Sequence, residues 1–219
     1  MSVMANLAMR APWERLLMPA FIYFFKLLYP FALANGRRRF AHAAAGGCML
    51  VRRDALDAVG GIASLRDAVI DDCALAKRLK AAGYRTWIGL SRAVTSTRRY
   101  PHLADTWSMV TRTAYTQLGY SWLALLACTG LMLISMVAPV LGVWVGPEPT
   151  RWVSLVALAA MTVSYLPTVR YYELPWPIVF TLPPVSTLYL VMTWASAWSA
   201  WRGVRARWKD RQYASVVTR

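Results

Sequence analysis

The chain has 219 residues, 25 Lys and Arg against 10 Asp and Glu, a formal net charge of +15, and 58% hydrophobic residues. That hydrophobic share lies above the roughly 45–50% of soluble domains, which excludes an ordinary wholly water-soluble protein. Strong basicity leaves nucleic acid or an anionic membrane as partner, and a nucleic-acid partner would leave the apolar tract unexplained.

The charges are unevenly spread. Residues 1–120 carry a net +10, residues 121–201 carry zero, and residues 202–219 carry +5. Such a partition implies a part in water, a part in lipid and a tail against anionic headgroups. Four regions follow: 1–42, an interfacial amphipathic helix region; 43–120, a water-side domain; 121–201, about three hydrophobic helices; and 202–219, a basic tail.

Leu16 to Ala34 has prolines near both ends, Lys26 in its middle, and Arg37-Arg38-Arg39 just after it. The pattern fits a helix lying in the headgroup plane, with a buried core helix as the alternative. It does not read as a secretory signal, since no small-residue cleavage site follows it.

From Ala43 the punctuation is that of an α/β domain. Gly46-Gly47 precedes the apolar run Cys48 to Val51, which reads as a strand. Asp54 is placed to cap a helix from Ala55 to Val59, stopped by Gly60-Gly61. Ile70-Asp71-Asp72 opens a second helix that runs to about Ala82, with Gly83 as its stop. Tyr84 to Leu90 reads as the next strand. Cys48, Cys73 and Cys128 are widely spaced and read as reduced, partly buried thiols. His42 and His102 are isolated and read as structural or surface residues.

Trp122 to Val145 is uncharged and long enough to cross a hydrocarbon core, with Pro139 expected to kink the helix without ending it. After a polar turn at Gly146 to Pro149 come Trp152 to Val169, shorter and weaker, and Leu174 to Trp201, broken at Pro183-Pro184. Trp and Tyr mark nearly every end, as an interfacial belt requires. Arginines before residue 120 and after 201 both argue for the cytoplasmic side, which requires an even number of crossings. Hydropathy shows three, so the side of the C-terminus stays open.

Two adjacent carboxylates at a helix start have two readings. An Asp at the N-cap satisfies orphan N–H groups and complements the helix dipole, worth about 0.5–2 kcal/mol. Alternatively, one Asp caps while its neighbour faces a cleft as general base.

Gly46 to Leu56, then Val59-Gly60-Gly61-Ile62, Ile70-Asp71-Asp72 and Leu75 to Arg85 together resemble the acceptor half of a family 2 glycosyltransferase. In that family a Gly-rich strand leads into an "RR-x-A-L" helix, and an acidic pair opens the helix that ends in "GY". Thr111 to Leu118 is most similar to the hopene-associated membrane glycosyltransferases of bacteria. Trp208 to Tyr213 is similar to a "W-K-G-R-x-Y" ending, with Asp210 at the usual Gly.

The resemblance implies an α/β fragment, the acceptor half of a GT-A-like domain, followed by transmembrane α-helices. It implies inverting transfer of a sugar from a nucleotide donor to a lipid or lipid-linked acceptor at a bacterial inner membrane, with the basic regions facing the cytoplasm. Asp72 takes the place of the catalytic base and Asp71 that of the preceding, orienting acid. Gly46, Gly47 and Cys48 take substrate-binding positions. Arg112 is what remains of a Q-x-x-R-W motif that helps hold the donor diphosphate, which favours single transfer over polymer synthesis.

Complete members use Mg²⁺ or Mn²⁺ on an Asp-x-Asp motif in a nucleotide-binding βαβ half. Residues 1–45 do not read as alternating strands and helices, and Asp-x-Asp occurs nowhere. The expectation is a C-terminal portion with no metal site of its own, inactive alone. The competing readings are a membrane-anchored basic adaptor and, more weakly, a small transporter, which would need ionisable residues at the membrane centre.

Overall fold

The computed structural model describes residues 1–203 and, beyond them, the backbone of two short strands, β4 (Arg207–Trp208) and β5 (Arg211–Gln212). The rest of the expected basic tail, including Lys209, Asp210 and Tyr213 of the terminal motif, lies outside the described residues. The chain is mostly helical, with a small three-stranded sheet and three helices long and apolar enough to span a membrane. The described residues 1–203 divide into two compact units, one of residues 1–8 and 24–99, the other of residues 9–23 and 100–203.

In the first unit the sheet has the order β2-β1-β3. The central strand β1 (Ser2–Asn6) pairs antiparallel with β2 (Cys48–Met49) and parallel with β3 (Ile88–Thr95). β1 corrects the expectation that residues 1–42 are purely a membrane-surface helix region. Ser2, Val3, Met4 and Ala5 are all buried, so the strand lacks the polar–apolar alternation by which a half-exposed strand declares itself. β2 stops two residues short of the expected Val51. β3 begins four residues later than Tyr84, because Tyr84 completes the end of a helix. At the start of β3 the Asn35 side chain takes both main-chain groups of Ile88: Nδ2 donates to the carbonyl at 2.9 Å and Oδ1 accepts from the N–H at 2.7 Å.

Helix α1 (Pro12–Leu28) runs from the second unit into the first and is followed by the short α2 (Phe31–Ala34). Helix α3 spans Arg53–Ala58, and α4 spans Asp71–Ala81. Asp54 does not cap α3. It lies inside the first turn and pairs with Arg52, whose backbone occupies the N-cap. Both helices end as expected on glycine. Gly60 and Gly83 have φ +90° and +89°, and the next residues, Gly61 and Tyr84, return their N–H groups to Leu56 and Leu79, each at 2.9 Å. This double-bonded ending requires a left-handed residue. Ala55, Leu65, Leu75 and Leu79 form the apolar core between these helices.

In the second unit the start of α1 is buried, with Leu17, Met18 and Ile22 fully enclosed. Glu14, also fully buried, accepts from the N–H groups of Arg10, Ala11 and Tyr100 at 2.9–3.0 Å. Tyr189 donates to the Leu17 carbonyl at 3.0 Å. Helix α5 (Leu103–Gln117) packs on the last helix through the Tyr115 N–H to Ser196 Oγ bond of 3.0 Å.

The first span, Trp122–Val145, is continuous. Helices α6 (Trp122–Met132) and α7 (Ala138–Val145) are joined by a π-helical turn, Leu133–Val137. Pro139 lacks an N–H and crowds the carbonyl four residues back, and the widened turn accommodates it. Helix α8 (Glu148–Tyr171) is 24 residues long, so the second span is not the short one expected. Glu148 and Pro149, expected in the turn, form its first turn. The third span, Trp176–Trp201, begins as a 3₁₀ helix, Trp176–Thr181, and continues as α9 (Leu182–Trp201). Pro183 and Pro184 do not break it. They open α9, where the first N–H groups have no intrahelical partner to lose.

Candidate active site

The acid pair is positioned by the core of the first unit. Leu75 and Leu79 anchor one face of α4, which leaves its N-terminus at a loop, residues 43–47, lying against β1. Ser2 clamps that loop: its hydroxyl donates to the Ala45 carbonyl at 2.9 Å and accepts the Ala45 N–H at 2.7 Å. Cys73, the residue after the pair, is buried with its thiol 3.4 Å from the Ala44 carbonyl. Burial and the Asp72 charge push that thiol up to about 11, so Cys73 stays protonated and packs as a small apolar group.

Asp72 is half-buried, and Asp71 is exposed. Asp72 Oδ2 accepts the Gly46 N–H at 2.6 Å, and Oδ1 accepts the Cys73 N–H at 2.7 Å. Asp71 Oδ1 accepts the Asp72 N–H at 3.0 Å. Ile70 supplies the N-cap without a side-chain bond, so both acids lie within the first helical turn. Burial raises the Asp72 pKa above 3.8; the N–H bonds from Cys73 and Gly46 pull it back, and the Asp71 charge raises it further. A raised carboxylate is a stronger base than a solvated one, and each Asp72 oxygen keeps a second lone pair for another donor.

Both acids line an open cavity of about 430 Å³ together with Gly46, Met49, Ile62, Ala63, Leu65, Arg66, Ala68 and Leu75. One part of the wall is thus apolar, and the other carries two carboxylates and a guanidinium. Glycine at 46 lets the main chain approach Asp72 closely, since a Cβ there would lie 3.3 Å from Asp72 Oδ2 and crowd the bond from the main chain.

Of the residues singled out in the sequence, Gly46, Asp71 and Asp72 share this cavity. Gly47 and Cys48 do not line it. A Cβ on Gly47 would meet Ala5 Cβ at 3.1 Å, so its small size lets the loop approach β1. Cys48 is exposed, not partly buried, and begins β2; all three cysteines are free. Arg112 is half-buried on α5, in the second unit. His42 is half-buried, and His102 precedes α5, where its N–H donates to Asp105 at 2.9 Å. Sequence reasoning missed Arg66. It precedes the acid pair by only five residues, yet it follows the short helix Ile62–Leu65, and no periodicity assigns it to a shared wall.

These residues do not make a divalent-cation site, since among the described residues no three His, Cys, Asp or Glu side chains converge.

A family model described as Glycosyl transferase family 21 matches residues 22–215. No curated protein and no solved structure matches the chain.

Proposed function

The chain belongs to glycosyl transferase family 21, and on that premise we propose that Asp72 is the general base of an inverting transfer to a lipid-type alcohol at the membrane surface. The observation that carries this is Asp72 itself, held by two main-chain N–H groups at the wall of an open, half-apolar cavity. The acceptor hydroxyl binds against the Asp72 carboxylate, with its apolar body along Met49, Ile62, Leu65 and Leu75. As the acceptor oxygen bonds to the anomeric carbon, the bond from that carbon to the nucleoside diphosphate breaks and the hydroxyl proton passes to Asp72. The diphosphate departs with both bonding electrons, and attack from the opposite side inverts the centre. Asp71 orients the acceptor and, as a like charge, keeps the Asp72 pKa raised. Arg66 is the cation of the cavity, suited to a phosphate oxygen.

The parallel β1–β3 pair with helical segments between its strands supports half of a GT-A-like domain. The likeness to hopene-associated enzymes supports a membrane-resident acceptor in a bacterial inner membrane. No step is routed through Mg²⁺ or Mn²⁺, because the described residues do not fit one. For the same reason purified residues 1–219 should turn over little nucleotide sugar unaided: no set of the described residues holds a divalent ion at the leaving diphosphate.

The test is incorporation of labelled sugar into lipid by native membranes carrying wild-type or Asp72→Asn protein. A positioned base contributes roughly 10²–10⁴-fold, so a loss of that size is expected at unchanged protein abundance. Unchanged turnover removes the base and leaves the pair as helix-stabilising charges of a basic adaptor.

A further inference from the structure

Lys80 is 3% exposed, yet no carboxylate pairs with it among the described residues. Its ammonium instead donates to main-chain carbonyls: Ala34 and Ala41 at 2.5 Å, Gly36 at 2.9 Å and Arg38 at 3.4 Å. One buried cation thus gathers the inward-facing carbonyls of residues 34–41. The side chains of that loop are left outside: Arg37, Arg38, Arg39 and Phe40 are all exposed, Phe40 by 71%.

None of the three guanidiniums pairs with a carboxylate among the described residues. The Arg38 guanidinium lies 5.8 Å from the centre of the Phe40 ring. In the preceding stretch Leu27, Leu28 and Leu33 are also exposed, at 55%, 52% and 46%. Ring contacts of Phe25 with Tyr29 and Phe31 tie the end of α1 to α2. The apolar stretch expected to lie wholly in the headgroup plane is therefore divided. Its first half is enclosed by protein, and only its end, with the arginine loop, offers a surface.

We propose that residues 27–40 are a docking surface for an anionic phospholipid leaflet, with Arg37, Arg38 and Arg39 on headgroup phosphates and Leu27, Leu28, Leu33 and Phe40 at the acyl boundary. Charge complementarity selects the occupant. A second copy would bring the same three arginines and be repelled, and a nucleic acid would leave the leucines in water. Each arginine near such a surface contributes roughly fivefold in partitioning. Lys80 acts as a positioning residue, holding the loop so that all three reach the same plane.

The test uses the full chain in nanodiscs of phosphatidylcholine alone or phosphatidylcholine with phosphatidylserine, read by hydrogen exchange of residues 37–40. Exchange is expected to slow by about tenfold or more in the anionic discs and to recover as salt rises. The triple variant Arg37→Gln, Arg38→Gln, Arg39→Gln should erase the difference. Lys80→Met, checked for native protection of β3, should lose most of it with the arginines intact. Equal exchange in both lipids, a difference that survives the triple variant, or full protection in detergent alone would each overturn the proposal. A Lys80→Met chain that folds and keeps the whole difference would remove the positioning role. None of these readouts depends on transferase activity, so they stand apart from the reading of Asp72.

Discussion

At Asp72 burial and the neighbouring Asp71 charge favour the protonated form, while main-chain N–H groups from Cys73 and Gly46 favour the ionised one. Burial dominates, and the pKa lies above 3.8. A base works only when ionised, so transfer should fall as pH drops through this raised pKa, at a higher pH than for an ordinary solvated aspartate. Removing the like charge in Asp71→Asn should move that acid limb to lower pH, and an unmoved limb in the rate–pH profile of native membranes would count against the pairing. Stability has the opposite sense. Because the folded-state pKa is raised, the contribution of Asp72 to stability is complete below 3.8 and is lost as pH rises through the folded value. Asp72→Asn removes the half-buried charge but turns an amide NH2 toward one of the two main-chain N–H groups that the carboxylate accepts, so thermal unfolding measured beside turnover separates loss of chemistry from loss of structure.

Among the elements, the first two spans meet through small residues. A Cβ on Gly142 would run into Ser154 Oγ and lie 3.6 Å from Thr150 Cγ2. Lipid provides no hydrophobic drive for helix association, so close approach over such residues must supply it. Gly142→Leu should destabilise the folded chain in detergent by about 1–3 kcal/mol, as overpacking does. Gly130 on α6 has nothing within 4 Å of where its Cβ would be, so Gly130→Leu should stay within about 0.5 kcal/mol of wild type. Thermal unfolding in detergent, followed by circular dichroism, measures both, and equal effects would show that the Gly142 contact does not matter.

For the molecule as a whole, the three candidate spans are 24, 24 and 26 residues long. At 1.5 Å per residue the shorter ones reach about 36 Å, beyond a hydrocarbon core of about 30 Å. Their outer faces carry Ile134, Trp144, Val156 and Val163, each 69–79% exposed, which suits lipid and not water. The chain should remain in the membrane pellet after alkaline carbonate extraction; release into the supernatant would mean that these helices do not span. The spans were legible in the sequence because a lipid-facing helix must be apolar all round, and that needs no knowledge of neighbours. The glycine stops of α3 and α4 were legible too, since a left-handed residue is a local requirement.

The acid pair was legible as a candidate base through the resemblance, but its geometry was not. Nothing along the chain says that the Gly46 N–H meets Asp72, 26 residues away, or that Arg66 shares its cavity. β1 escaped notice because a strand covered on both faces has no alternation to read, and the strand boundaries moved because pairing with β1 fixes them. Lys80 stands close to Lys77 and Arg78 in the sequence with nothing local to set it apart, and only the fold turned it inward to gather carbonyls 39 to 46 residues away. Composition and local periodicity determined which helices are long and apolar enough to span a membrane and where the helices stop. Which polar groups face one another was decided by the packing of segments distant in sequence, and that is an energy of the folded whole.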